Sequence, residues 1–245
     1  MDIFAFPPLT FLLDGAYNAL LWLVGVLQPF TGSVSAALAV ILVTLMVRTC
    51  LIPVGVSQAR AEQLRARLAP KMRALQQRHG KDRERLQRET LALYRDEQAS
   101  PLAGCLPLIV QAAVVGVLYT LFLRPQIAGH ANALLTHDLL GAPLGTSLVH
   151  AFGAGIDAPT GVVWAVVLLI ILIVADITRR LFRPQVPTEG PLATPGMLGL
   201  MSALHYLTAV FAVLVPLAAA LYLVVTVTWT LGQRAVLRRR YPLPS

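Results

Sequence analysis

Residues 33–56 read SVSAALAVILVTLMVRTCLIPVGV, an apolar run with one arginine, Arg48, well inside it. As a helix, the stretch from Ser33 to Pro53 rises ~31 Å, about the thickness of a bilayer core. A charge at the middle of such a span costs ~2.5–3.5 kcal/mol on insertion scales and ~10 or more in simulations. Both costs fall if the side chain meets water. Arg48 lies about one turn before Pro53, toward the end that leads into a very basic segment. Two readings follow. Arg48 is a positive-inside anchor snorkelling to the interface, or it is the working charge of a wet cavity in a helix bundle.

Composition decides the class. The 245 residues are 56% hydrophobic and 13% charged, against about 25% charged in a soluble domain. Mean hydropathy is +0.69. No apolar run alternates as a barrel strand does. The sequence therefore predicts an all-α, polytopic helical membrane protein. Net charge is +8, with 20 Lys and Arg. Eleven of these lie between Arg60 and Arg95. Acids are interleaved among them, so a membrane surface suits that segment as well as a nucleic acid does. Cys50 and Cys105 sit in apolar runs and define no disulfide framework. The N-terminus has no basic region before its apolar stretch, so no cleavable signal is expected.

In chain order, Pro7 and Pro8 argue against a helix from the start. Residues 9–28 form an amphipathic interfacial helix, with Asp14 and Asn18 four apart on one face; a short spanning helix is the alternative. Span 1 covers 34–55 and kinks at Pro53. Residues 57–98 form a helical hairpin broken at His79–Gly80. Its seam is Leu64, Leu68, Met72 and Leu75 against Leu86, Leu91, Leu93 and Tyr94, and Pro70 kinks its first arm. Span 2 covers 101–123, with Ser100–Pro101 as its start signal and Gln111 as its strongly polar side chain. Residues 125–159 form a loop without Lys or Arg, in which leucines build a short interfacial helix. The loop's His130, His137 and His150 match no metal-ligand motif. Span 3 covers 160–178, and Asp176 near its end is a partner for Arg179 or Arg180. Residues 183–196 form a Pro/Gly-rich loop. Spans 4 and 5 cover 197–214 and 217–233, separated by Pro216, with a basic tail at 234–245.

Charge sets the topology. With the 57–98 hairpin in the cytoplasm, every basic cluster falls inside. Arg124, at a membrane edge, is the one basic residue assigned outside. The N-terminus is outside and the C-terminus is cytoplasmic.

There is no GxSxG, HExxH, Walker loop or Rossmann fingerprint, so no catalytic residue is assigned and the protein is not read as an enzyme. Polar candidates inside the membrane are Arg48, Gln111, Ser202, His205 and several threonines. Three segments resemble the YidC/Oxa1/Alb3 membrane protein insertases: ILVTLMVRTCLIPVGVSQ, LALYRDEQASPLAGCLPLIVQ and VPLAAALYLVVTVTWTLGQRAVLRR. The block from Tyr94 to Gln111 is the most specific. Ser100 stands where the family has Asn before the proline, and Pro216–Leu217–Ala218 where Pro-Ala-Gly is common. By its length the chain is expected to resemble the shorter members, with no large outside domain and no long ribosome-binding tail.

The resemblance implies five core helices around a hydrophilic groove open to cytoplasm and lipid. The implied function is insertion and folding of newly made membrane proteins, alone or beside the Sec translocon. It implies no nucleotide or other cofactor and no DNA, and a place in a bacterial plasma (inner) membrane; no metal ligand is assigned. The family's groove charge falls on Arg48, and Thr44, Gln111, Ser202 and Thr226 are expected to extend the client-binding surface. The hairpin surface, with Arg60, Arg65, Lys71, Arg73, Lys81 and Arg85, is expected to meet lipids, the ribosome or incoming chains. A small-solute transporter or channel, or a non-catalytic assembly factor, is the alternative.

Overall fold

The structure, a computed structural model, describes residues 7–80, 82–97, 106–127, 129–182 and 206–242. Helices dominate, and three stretches among these residues are long and apolar enough to cross a membrane: Leu13–Cys50, Ala158–Leu181 and Leu217–Arg240. Val114–Leu123 is a shorter apolar helix. The expected spans 101–123 and 197–214 extend beyond the described residues.

The chain divides into two compact units, Met1–Arg48 with Gly116–Leu231, and Thr49–Val115 with Gly232–Ser245. In the first unit, α1 (Pro7–Thr31) begins at the two prolines, two residues before the expected 9, and runs past the expected end at 28. A first-turn proline sacrifices no helical hydrogen bond, and its fixed φ suits the helix. The helix also passes through Pro29. It buries Leu13, Tyr17, Leu20 and Val24 on one stripe and leaves Phe11, Trp22 and Phe30 exposed. Asp14 is half-buried beside the buried stripe. The outward face is thus more apolar than the Asp14/Asn18 pattern suggested. A 3-10 turn at Gly32–Val34 leads into α2 (Ser35–Cys50).

α2 buries Ser35, Ala36, Ala37 and Ala39, then Val40, Thr44 and Arg48. Lipid supplies no hydrophobic force between helices, so small side chains that let backbones approach carry much of the packing. The same device recurs at the start of the last helix, where Ala218, Ala219 and Ala220 are fully buried. Around these stripes lie Phe122, Leu121, Trp164, Ile171 and Tyr222. The Phe122 and Tyr222 rings are tilted, with centroids 5.9 Å apart.

The 125–159 segment is a folded cap, and the expected leucine helix is one 3-10 turn, Ala133–Thr136. Two small antiparallel hairpins flank it. One pairs β1 (Gln126–Ile127) with β2 (His130–Ala131), and the other pairs β3 (Asp138–Leu139) with β4 (Ala142–Pro143). Leu134 and Leu144 are fully buried beneath them. Gly145 has no room for a side chain, because a Cβ there would stand 2.7 Å from the Leu135 carbonyl oxygen. A short helix, α6 (Leu148–Ala154), precedes the spanning helix α7 (Ala158–Leu181). After the undescribed 183–205 come α8 (Leu207–Leu214) and, past Pro216, α9 (Leu217–Arg240).

Polar pins hold the cap. The Tyr17 hydroxyl donates to the Ala131 carbonyl at 3.2 Å and accepts from the Ala133 N–H at 2.8 Å. The N–H groups of Leu217 and Ala218 donate to the carbonyls of Thr146 and Leu144 at 3.1 and 2.9 Å. A helix start leaves four N–H groups without partners inside the helix, and the cap satisfies two of those in α9.

In the second unit, α3 (Ile52–His79) begins after a one-residue interruption at Leu51. Span 1 was expected to kink and continue to 55. Instead its helix ends at Cys50, and Pro53 falls in the first turn of the next, where proline is at home. α3 runs on through Pro70 and packs against α4 (Arg83–Asp96), whose N-cap Asp82 accepts from the Arg85 N–H at 3.0 Å. Leu68 is buried, but Leu91 is 46% exposed. Leu86, Thr90, Leu93 and Tyr94 form the half-buried face. Steps of four, three and one keep these on one helical face; the five-residue step to Leu91 does not. Lys71 on α3 pairs with Glu97 just past α4. The described part of the next helix, α5, covers Leu106–Leu123. The expected end of span 5 at 233 is also moved, since α9 stays helical to Arg240 and takes in most of the basic tail.

Candidate functional site

α2 presents Thr44 and Arg48 one turn apart on its buried face, 0% and 6% exposed. Spacing of four puts both on one side of a helix. The Thr44 hydroxyl donates to the Val40 carbonyl one turn back, at 2.6 Å. That bond satisfies the donor inside the helix and leaves the oxygen with acceptor capacity. Arg48 has no ion pair among the described residues. A buried guanidinium without a carboxylate partner is costly unless water or another polar group meets it.

Thr226, half-buried on α9, has a sealed Oγ1 with no partner among the described residues. The sealed Tyr222 Oη lies one turn before it, and Trp164 Nε1 on α7 is in the same condition. Leaving such an atom unsatisfied costs about 1–3 kcal/mol. Tyr222 and Trp164 were not singled out from the sequence. The signal was there for Tyr222, since it precedes Thr226 by four on one face. Trp164, in the plain apolar run of α7, gave none.

Gln111 lies on α5, with its side chain outside what is described; Ser202 and His205 lie outside the described residues. Asp176 accepts from Arg180 at 2.8 Å, and Arg179 donates to the Tyr206 hydroxyl at 3.4 Å. On the hairpin, Arg65, Arg73 and Arg85 are exposed, Lys71 is paired with Glu97, and Lys81 lies outside the described residues. Arg60 donates to the Tyr241 hydroxyl. Among the described residues no three His, Cys, Asp or Glu side chains gather as a metal site.

Residues 26–243 match the family described as "60Kd inner membrane protein". Three curated relatives carry the name "Membrane protein insertase YidC". The protein from Streptomyces avermitilis is 28% identical over 227 residues, covering 85% of this chain and 52% of its own length. That from Alkalihalophilus pseudofirmus is 33% identical over 149 residues, 56% of this chain and 58% of the relative. That from Mannheimia succiniciproducens is 35% identical over 112 residues, 46% of this chain and 20% of the relative. The chain thus spans about half the length of the first two and a fifth of the third.

Proposed function

The chain belongs to the 60Kd inner membrane protein family and is a multi-pass membrane protein of bacterial type, and from that premise we propose that it inserts newly made membrane proteins into the bilayer. The observation that carries this reading is Arg48, a buried charge on an otherwise apolar membrane helix, with Thr44 one turn away. A polar recess part-way across a membrane shortens the apolar distance that a client's polar segment must cross. Arg48 attracts an acidic or polar segment and holds it briefly. The client's apolar part then partitions sideways into lipid, and that transfer drives the reaction. No bond is made or broken, and no catalytic residue or cofactor is assigned.

Thr226, Gln111 and Ser202 are proposed to extend the wet surface. The sealed hydroxyls of Thr226 and Tyr222 support this, since a client's backbone or water would satisfy them. The hairpin is proposed to lie in the cytoplasm, with the N-terminus outside and the C-terminus inside. Its exposed arginines, Arg65, Arg73 and Arg85, would meet anionic lipid head groups, and the ribosome and Sec translocon are proposed partners.

The test is insertion of single-span clients with acidic tails into proteoliposomes containing only this protein. Protease-protected client in amounts above those of empty liposomes is the expected result. Solute flux without client insertion would replace this reading with a transporter.

A further inference from the structure

The basic extension of α9 lies against the root of the hairpin's first arm. Both segments belong to the same compact unit, Thr49–Val115 with Gly232–Ser245. Glu62 Oε1 on α3 stands 3.5 Å from an Arg234 Nη2 and 3.6 Å from Arg238 Nη2. One carboxylate thus faces two arginines a helical turn apart. Arg60 donates to the Tyr241 hydroxyl from Nη2 and Nε at 3.2 and 3.4 Å, with its Cζ 5.5 Å from the ring centre. The Gln63 amide donates to the Pro242 carbonyl at 3.0 Å. At the other end of the contact Gly55 meets Gln233, and a Cβ on Gly55 would collide with Gln233 Nε2.

The partners advance together, from Gly55 with Gln233 to Gln63 with Pro242. The two segments therefore run side by side in the same direction for about two turns of helix, roughly 12 Å. The contact combines an absent side chain, a shared carboxylate and an aromatic ring. α3 is 28 residues long, and its seam with α4 is thin, with Leu68 its one buried side chain.

We propose that residues 233–242, the end of the last helix and the two residues after it, are a latch on the root of the hairpin's first arm, with Glu62 as its charge centre and Tyr241 as its outer clasp. Arg234 and Arg238 are thereby committed to the protein itself, while Arg239 and Arg240 stay exposed. The charged part of the latch lies at the surface, so salt weakens it. The latch is independent of the insertion reading.

The test uses the full chain, carrying Cys50→Ser, Cys105→Ser, Gln63→Cys and Pro242→Cys, in liposomes, with the last two positions joined by a short thiol-reactive cross-linker. Efficient cross-linking is expected at low salt. Glu62→Arg is expected to lower its rate about fivefold, the scale of losing both attractions. Tyr241→Ala is expected to lower it less. Glu62→Arg combined with Arg234→Glu and Arg238→Glu reverses every charge of the centre and is expected to restore the rate. That restoration separates a lost latch from a misfolded chain. An unchanged rate in Glu62→Arg, or no recovery in the triple variant, overturns the proposal.

Discussion

Arg48 follows Thr44 by one turn on the buried face of α2, and the Thr44 hydroxyl is turned back onto the Val40 carbonyl. In the proposed mechanism Arg48 is the charge that a client's polar segment would meet. Arg48→Ala is expected to reduce insertion of acidic-tailed clients about fivefold, the size of a lost attraction of about 1 kcal/mol. Arg48→Lys keeps the charge but loses the planar fork of donors and is expected to retain part of the activity. The measurement is protease-protected client in proteoliposomes. Unchanged insertion of every client in Arg48→Ala would remove the charge from the mechanism.

Asn132 closes the C-terminus of α5. It is 3% exposed, its amide donates to the carbonyls of Leu121 and Arg124 at 2.8 and 2.9 Å, and its Oδ1 accepts from the Leu134 N–H at 3.2 Å. Removing it leaves three backbone groups without this partner, two of them in buried bonds. Asn132→Ala is expected to destabilise the first unit by about 2–4 kcal/mol, and Asn132→Asp by more, because a carboxylate would face two carbonyls at the negative end of a helix. Unfolding in mixed micelles measures both. An Asp variant as stable as the parent would contradict the assignment.

The hairpin seam predicts a contrast between two leucines. Leu68 is 2% exposed and Leu91 46%. Leu68→Ala is expected to cost about 2–4 kcal/mol of local stability, while Leu91→Ala changes it by no more than about 0.5 kcal/mol. Amide hydrogen exchange in α3 and α4 reads this directly. Equal loss of protection in the two variants would mean that the seam lies on another face.

Gly55 and Gln233 make a double-mutant pair. A methyl group at Gly55 collides with the end of the Gln233 side chain. Gly55→Ala alone is expected to cost about 1–2 kcal/mol, less if the amide swings aside, and Gln233→Ala is expected to return most of that loss. Additive losses, measured by thermal unfolding in detergent, would show that the two do not touch.

Leu140 carries a conformation that does not suit it. Its φ is 53° at the two-residue turn of the β3–β4 hairpin, followed by Gly141 at 88°. Such turns favour Asn-Gly, because both central residues take positive φ. Leu140→Asn is expected to stabilise the cap by about 1 kcal/mol. Protease resistance of the cap is the readout, and a more readily cleaved variant would count against the strain.

Some of this protein could be read from one dimension. The apolar runs, the basic 60–95 segment and the proline positions show helices, spans and a hairpin, because helix period and membrane transfer depend on residues near in sequence. Arg48 was visible for the same reason: one charge in an apolar run stands out locally. Pairing across the chain was not visible. Tyr17 meets Ala131 and Ala133 from more than a hundred positions away. Asn132 looked like any loop asparagine until α5 ended beside it. The leucines of 133–140 have no period that distinguishes one 3-10 turn and a hairpin from a short helix. The sequence shows only a basic tail at 234–245, and the folded chain places Glu62 between Arg234 and Arg238. Local chemistry chose the elements; burial and unsatisfied backbone groups, which exist only once distant segments meet, decided which residues hold them together.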